Sequence, residues 1–241
     1  MSQRTPPQKM TLYSSTNCPW AARSLIALAE ANVQYETVEI DLDNKPEFFL
    51  KEVNPQGKVP TLDYAGEKLI ESGPIAEFVA DLFPDVGLWP QGSTEETALF
   101  KLRARIFVET FITKVVPNWA GILFRADPAA PAAILSAVEG FVEPLLPETS
   151  SAGPFFAGRT EFSMAEVLTA PFAARIDLMG RNGIVPADVY EKLQKLPRFG
   201  RWMKAVMERK SIKDTFDEAS NLAKIKKKMA LAQEKKTPPR L

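Results

Sequence analysis

At 241 residues, 45% apolar and 25% charged, the chain can build one large domain or two small ones around a sizeable core. Its 30 basic and 30 acidic residues cancel, so the global basic excess of a nucleic-acid binder is missing. With no histidine and one cysteine, imidazole catalysis, histidine metal ligands, zinc and iron–sulfur clusters and internal disulfides are excluded, and no metal is expected. A single unbridged cysteine suits a reducing compartment. The first nine residues lack the apolar stretch of a signal peptide, and no apolar run reaches the roughly 18 residues of a membrane span. The expectation is a cytoplasmic protein with no membrane or nucleic-acid partner.

The first part of the chain alternates strands and helices. Met10 to Ser14 reads as a strand. Pro19 to Ala31 is rich in Ala and Leu and opens with a proline at the favoured first helical position, and Asn32 is placed to close it. Val38, Ile40 and Leu42 fall on one face of a second strand. Val59–Tyr64 and Glu67–Ile70 form a hairpin about Ala65-Gly66. Ile75, Phe78, Val79 and Leu82 recur at helical spacing until Phe83-Pro84. The order is βαβ, a short helix, ββ, α.

A Pro- and Gly-rich linker from about Phe83 to Ser93 follows, and strand signals then vanish. Leu99, Leu102 and Ile106 open a long helix running toward Pro117, and Ile134, Leu135, Val138, Val142 and Leu145 mark another. Ser163 with Glu166 forms a capping box before a nearly unbroken apolar helix, which Pro171 should bend. Shorter helices start near Ala187 and Pro197. The lysines from Lys224 to Lys236 read as a solvated helix end. The fold class is α/β plus all-α: residues 1–83 form a small α/β domain and residues 94–241 an all-helical one.

The sole cysteine, in Ser15-Thr16-Asn17-Cys18-Pro19-Trp20-Ala21, follows the first strand and precedes the first helix. Unpaired N–H groups and the positive end of the helix dipole stabilise an anion there. A thiol so placed commonly has its pKa lowered into the range of about 3.5–7.5, making it a nucleophile at neutral pH. The competing role is a small buried hydrophobe.

A strand, Cys-Pro at a helix start and a later Val-Pro before a strand resemble the thioredoxin fold. Ala21 stands where a dithiol protein has its second cysteine, so thiol exchange must borrow an external thiol. Asn54-Pro55-Gln56-Gly57-Lys58-Val59-Pro60-Thr61-Leu62, Leu69-Ile70-Glu71-Ser72-Gly73-Pro74-Ile75 and Gly158-Arg159-Thr160-Glu161-Phe162-Ser163-Met164-Ala165-Glu166 resemble the motifs of the glutathione transferases, with Glu166 in place of the usual Asp. Cys-Pro-aromatic-Ala with Asn44-Lys45-Pro46-Glu47-Phe48-Phe49 is similar to the omega class. Arg103-Ala104-Arg105-Ile106-Phe107-Val108-Glu109 is similar to its fungal members.

The resemblance implies a thioredoxin-like glutathione-binding domain followed by a helical domain that holds the acceptor substrate. It implies glutathione as co-substrate, small electrophilic or glutathionylated acceptors as partners, and a homodimer. Cys18 would be the catalytic thiolate, with Tyr13, Ser14 and Ser15 as nearby hydroxyls of the kind other classes use. Val59 beside a cis Val59-Pro60 bond would pair with the cysteinyl unit of glutathione, Ser72 and Glu71 would hold its γ-glutamyl head, and Lys45 or Lys58 its glycyl carboxylate. Trp20, Phe107, Phe111 and Arg175 would line the acceptor pocket; the competing role for Arg175 is an ion pair with Asp177 or Glu166.

The activity implied is thiol transfer, deglutathionylation or dehydroascorbate reduction. Two alternatives stand beside it. Cys-Pro-Trp-Ala is also similar to the glutathionyl-hydroquinone reductases, although Ala22 replaces their histidine. The other is a non-catalytic protein that binds hydrophobic ligands or glutathione adducts.

Overall fold

The structure is a computed structural model that describes residues 3–148 and 153–236. Its four-stranded sheet has the order β2-β1-β3-β4. Strand β1 (Met10–Ser14) runs parallel to β2 (Glu36–Glu39) and antiparallel to β3 (Thr61–Tyr64), which pairs with β4 (Glu67–Ile70). Met10, Leu12 and Ser14 point inward, as period-two alternation requires. Ala65 and Gly66 both take positive φ, as a two-residue hairpin needs. Helix α1 (Pro19–Ala31) ends on Asn32 in the left-handed region, and α2 (Ser72–Leu82) follows β4.

Two strands are shorter than their apolar patterns suggest. Beyond β2, Ile40 N–H still donates to Ser14 O at 2.7 Å, but the Asp41 carboxylate then accepts Asp43 N–H and turns the chain away. Val59 and Pro60, joined by a cis bond, lie outside the β3 ladder, to which Pro60 has no N–H to donate.

The remainder is helical: α3 (Glu95–Thr110), α4 (Val116–Arg125), α5 (Ala130–Ala137), α6 (Met164–Arg181), α7 (Ala187–Lys195), α8 (Phe199–Glu208), α9 (Lys210–Thr215) and α10 (Glu218–Glu234). Pro117 does not stop the long helix. A π turn at Phe111–Val115 joins α3 to α4, and Pro117 falls in the first turn after it, where a missing N–H is tolerated. By length and hydropathy the combined run Glu95–Arg125 is long and apolar enough to cross a membrane. Phe107, Phe111, Val115, Trp119 and Ile122 on it are nevertheless buried within the protein, as in a core helix.

One continuous apolar cluster runs through both parts, from Leu12, Ile26, Leu62 and Val79 to Phe107, Ile134, Phe172 and Trp202. The capping box at α6 forms as expected, and its Glu166 is fully buried. Besides the Ser163 N–H and hydroxyl, Glu166 accepts Phe156 N–H at 2.7 Å and the Trp202 indole N–H at 3.0 Å. Across the seam, Arg209 and Ser211 both donate to Glu30 on α1.

Candidate active site

Cys18 is the N-cap of α1: its N–H donates to Ser15 O at 2.9 Å and its carbonyl accepts Ala22 N–H at 3.0 Å. Its side chain caps no backbone N–H and packs against a small apolar cluster that includes Ala21, Phe49 and Val59. It opens into a cavity of about 430 Å³. Trp20, Lys45, Lys58, Val59, Pro60, Glu71 and Ser72, each expected at the site, line the same cavity. Tyr13 turns its ring toward Phe49 at 6.0 Å, and Ser14 and Ser15 are buried. None of these three hydroxyls is among the lining residues.

The cavity also holds Leu42, Asn54, Gln56, Gly57 and Ile70, which sequence reasoning had not singled out as site residues. Buried Asn54 shapes the loop: its amide donates to Lys58 O and Thr61 Oγ1, both at 3.0 Å, and its carbonyl oxygen accepts Gln56 N–H. Gly57 takes φ +64°, and a Cβ there would lie 2.9 Å from Leu50 Cδ2 and 3.3 Å from Lys45 Nζ. Glycine is therefore what lets Lys45 lie against this loop.

Glu71 caps α2 with φ 70° and ψ 121°, a region non-glycine residues rarely occupy and one that recurs at ligand-binding positions. Ser72 opens the helix, and beneath it lies Arg23 of α1. The Arg23 guanidinium stacks 4.4 Å from the Trp20 ring, donates to Leu168 O at 2.8 Å and reaches Ser72 Oγ at 3.4 Å. Burial pulls it down to about 10, so it remains a cation at neutral pH. Arg23 was not foreseen. One turn after Cys18 on an amphipathic helix, nothing in its spacing distinguishes it from a surface arginine.

On the acceptor side the expectation for Phe107 and Phe111 fails, and so does the competing role for Arg175, which is not among the residues lining the Cys18 cavity. Phe107 and Phe111 are 0% exposed and stack among Phe156 and Trp202 with centroid distances of 5.1–6.4 Å. Their face of α3 and the π turn points into the helical core, while Leu99, Leu102 and Ile106 take the outer face. Arg175 does share a face with Pro171, whose carbonyl accepts its Nη1–H at 2.8 Å. It pairs with neither proposed acid: Asp177 is held by Arg181 and Tyr190, and Glu166 by its four donors. Beside Cys18, Trp20 lines the cavity and meets buried Phe172 edge-on at 5.0 Å, and Phe172 meets Trp119 at 5.7 Å within the core.

Helix α10 crosses the loop that carries the cysteine. Ser220 Oγ donates to Asn17 Oδ1 at 3.1 Å, Asn221 contacts Thr16 O at 3.5 Å, and Lys224 and Lys227 both bind Asp43.

Residues 8–81 match the family model described as the glutathione S-transferase N-terminal domain. The whole structure aligns with glutathione transferase Omega 2C from Trametes versicolor at a TM-score of 0.80 and 33% identity, covering 93% of this chain and 100% of that one. The chain belongs to the omega-like glutathione transferases. Omega 2S from the same fungus, solved in complex with 2,4-dihydroxybenzophenone, aligns at a TM-score of 0.76 and 30% identity, with 92% and 99% covered. Mouse glutathione S-transferase omega-1 is 28% identical over 84% of this chain and 78% of its own. This glutathione transferase thus combines a thioredoxin-like half with a helical one. Among its described residues no group of three or more metal-ligating side chains occurs.

Proposed function

We propose that this glutathione transferase works through the Cys18 thiolate, transferring glutathionyl units between thiols. Residues 1–83 would serve glutathione and residues 94–241 the acceptor. The observation that carries the reading is the sharing of one cavity by Cys18 and the full set of expected glutathione contacts. The Val59 backbone, outside the β3 ladder, is free to pair with the cysteinyl unit as an added strand. Ser72 and the N–H groups at the start of α2 would hold the γ-glutamyl carboxylate, and Glu71 its ammonium. Lys45 or Lys58, both on the cavity wall, would meet the glycyl carboxylate.

In the reaction, the Cys18 thiolate attacks the glutathionyl sulfur of a mixed disulfide GS–SR. The S–S bond breaks, RS⁻ leaves and takes a proton from water, and Cys18 becomes glutathionylated. The thiolate of a second glutathione then attacks the glutathionyl sulfur on Cys18, releasing oxidised glutathione and the Cys18 thiolate. Glutathionyl-ketones would undergo the same attack, with the ketone's enolate leaving in place of RS⁻; dehydroascorbate would instead add the Cys18 thiolate at a carbonyl carbon, and a glutathione thiolate attacking the Cys18 sulfur would release ascorbate and leave Cys18 glutathionylated. A cytoplasmic location and a two-fold dimer belong to the same reading. The apolar outer stripe Leu99, Leu102 and Ile106 of α3 supports the dimer.

Incubation with oxidised glutathione and mass spectrometry tests it. One glutathionyl unit on Cys18, removed by reduced glutathione, is the expected result. No adduct, or an unaltered thiol-transfer rate in Cys18→Ser, would end the covalent mechanism. Trp20, exposed on the cavity wall, also favours a ligand-binding role, in keeping with the benzophenone held by the Trametes relative. Tight binding of such ligands without any turnover would favour it over catalysis.

A further inference from the structure

We propose that the helical half carries a second small-molecule site, in the cleft between α6, α7, α8 and α9, and that its ligand is an apolar amine bound as the ammonium. The inference is independent of the Cys18 chemistry, since no residue lines both cavities.

The cleft has a volume of about 680 Å³, more than the Cys18 cavity and within the roughly 300–1,000 Å³ usual for ligand pockets. Its walls are apolar. Leu193, Met203 and Ile212 are buried, and Met207, Phe216 and Tyr190 are half-buried around them. Two flexible thioethers let such walls close on ligands of different outline. One end is polar. There the Tyr190 hydroxyl donates to Asp177 Oδ1 at 2.7 Å, and Arg181 Nε donates to Asp177 Oδ2 at 2.8 Å. Arg181 spends its Nη1 and Nη2 on the Glu218 carboxylate, at 3.1 and 2.7 Å. Gly180 makes the close approach of α7 possible: a Cβ there would lie 2.2 Å from the Tyr190 ring.

This network decides the class of ligand. Tyr190 spends its one proton on Asp177; burial and the neighbouring carboxylate push the phenol up, so toward a ligand it offers only lone pairs. Arg181 has all three of its nitrogens on carboxylates. What remains for a ligand at this end is acceptors, the free lone pairs of Asp177 and of the Tyr190 oxygen. Two carboxylates also share one guanidinium, which leaves one negative charge over. Lys204 and Lys213 with Glu208 carry the opposite surplus, but they stand exposed at the rim, where water and salt screen it. An ammonium on an apolar body meets all of these features. Its body lies against the apolar walls, its N–H groups donate to Asp177 and Tyr190, and the rings of Tyr190 and Phe216 favour its charge.

The test titrates the protein with 1-naphthylmethylamine, 1-naphthalenemethanol and 1-naphthoate, which share a ring system and differ in charge. Isotope-labelled methionine methyl groups report the place: among the seven methionines, Met203 and Met207 line the cleft. Saturable shifts at these two are expected, with the amine bound about tenfold more tightly than the alcohol, the step from a neutral to a charged hydrogen bond. Naphthoate should bind most weakly. Glutathione at saturation should leave the shifts as they are. Glu218→Gln removes the surplus negative charge from an exposed position and should bring the amine and the alcohol close together. Because each comparison is between ligands on one variant, partial misfolding lowers every signal and leaves the ratio of affinities unchanged. Equal affinities for the three compounds, a preference that survives Glu218→Gln, no shift at either methyl group, or displacement by glutathione would each overturn the proposal.

Discussion

Glu166 carries two tasks that the sequence separates unequally. Its part in the capping box is legible from Ser163 three residues earlier, but the N–H groups of Phe156 and Trp202 come from 10 and 36 positions away. Burial pushes its carboxyl up, while the four donors pull the other way. A carboxyl raised in the folded state keeps a proton that the unfolded chain has lost. Its contribution is therefore greatest below the usual carboxylate pKa and falls as pH rises through the raised one. Glu166→Gln should flatten the fall in stability over that window, as urea melts at stepped pH would record. Glu166→Ala should cost about 3 kcal/mol or more at neutral pH, because several buried donors lose their acceptor. Arg23 lends itself to a different measurement. Arg23→Met keeps much of the packing on Trp20 but removes the charge under Ser72. Glutathione affinity by calorimetry should fall about tenfold; an unchanged affinity would confine Arg23 to holding α1 against α6.

Helix α10 was the least legible element, since its lysines hide the buried spacing of Asn221, Ile225 and Ala232. It packs chiefly against α4, and its hydrogen-bonding partners Thr16 and Asn17 lie some 200 positions earlier, beyond the reach of any local pattern. Pro117 misled for a related reason: proline marks a helix end only where the chain lacks a π turn to absorb it. The periodicity of α3 was visible, but which of its stripes faced inward depended on α6 and α8. The thioredoxin-like half was far plainer, because short strands, a hairpin and Cys-Pro at a helix start are all local signals. The hold of α10 on the active-site loop is open to acid. Hydrogen bonds from Lys224 and Lys227 keep the Asp43 carboxyl at about 2, below its usual 3.8. The contribution of that pairing is present above the usual value and is lost as pH falls through about 2. Amide exchange across residues 218–234 should accelerate over this range, and Asp43→Asn should show the faster exchange already at neutral pH. Identical exchange in the variant would mean that Asn17 and Thr16 hold the helix unaided.

For the molecule as a whole, the outer stripe of α3 is the place to test assembly. Leu99, Leu102 and Ile106 are 37%, 54% and 47% exposed and line up along one face. Leu102→Glu combined with Ile106→Glu should convert a dimer to a monomer in light scattering; a dimer that persists would move the interface elsewhere. The contacts between the two halves are of another kind. Arg23 with Leu168, Glu30 with Arg209 and Ser211, and Asn17 with Ser220 all begin on α1 or on the loop that enters it. The helix that Cys18 caps is thus also the plate to which the helical half is bolted. Grafting has to respect this: a chimera joining residues 1–83 to the helical half of a relative would break every one of those fastenings. Exchanging α1 together with the foreign half would keep them matched.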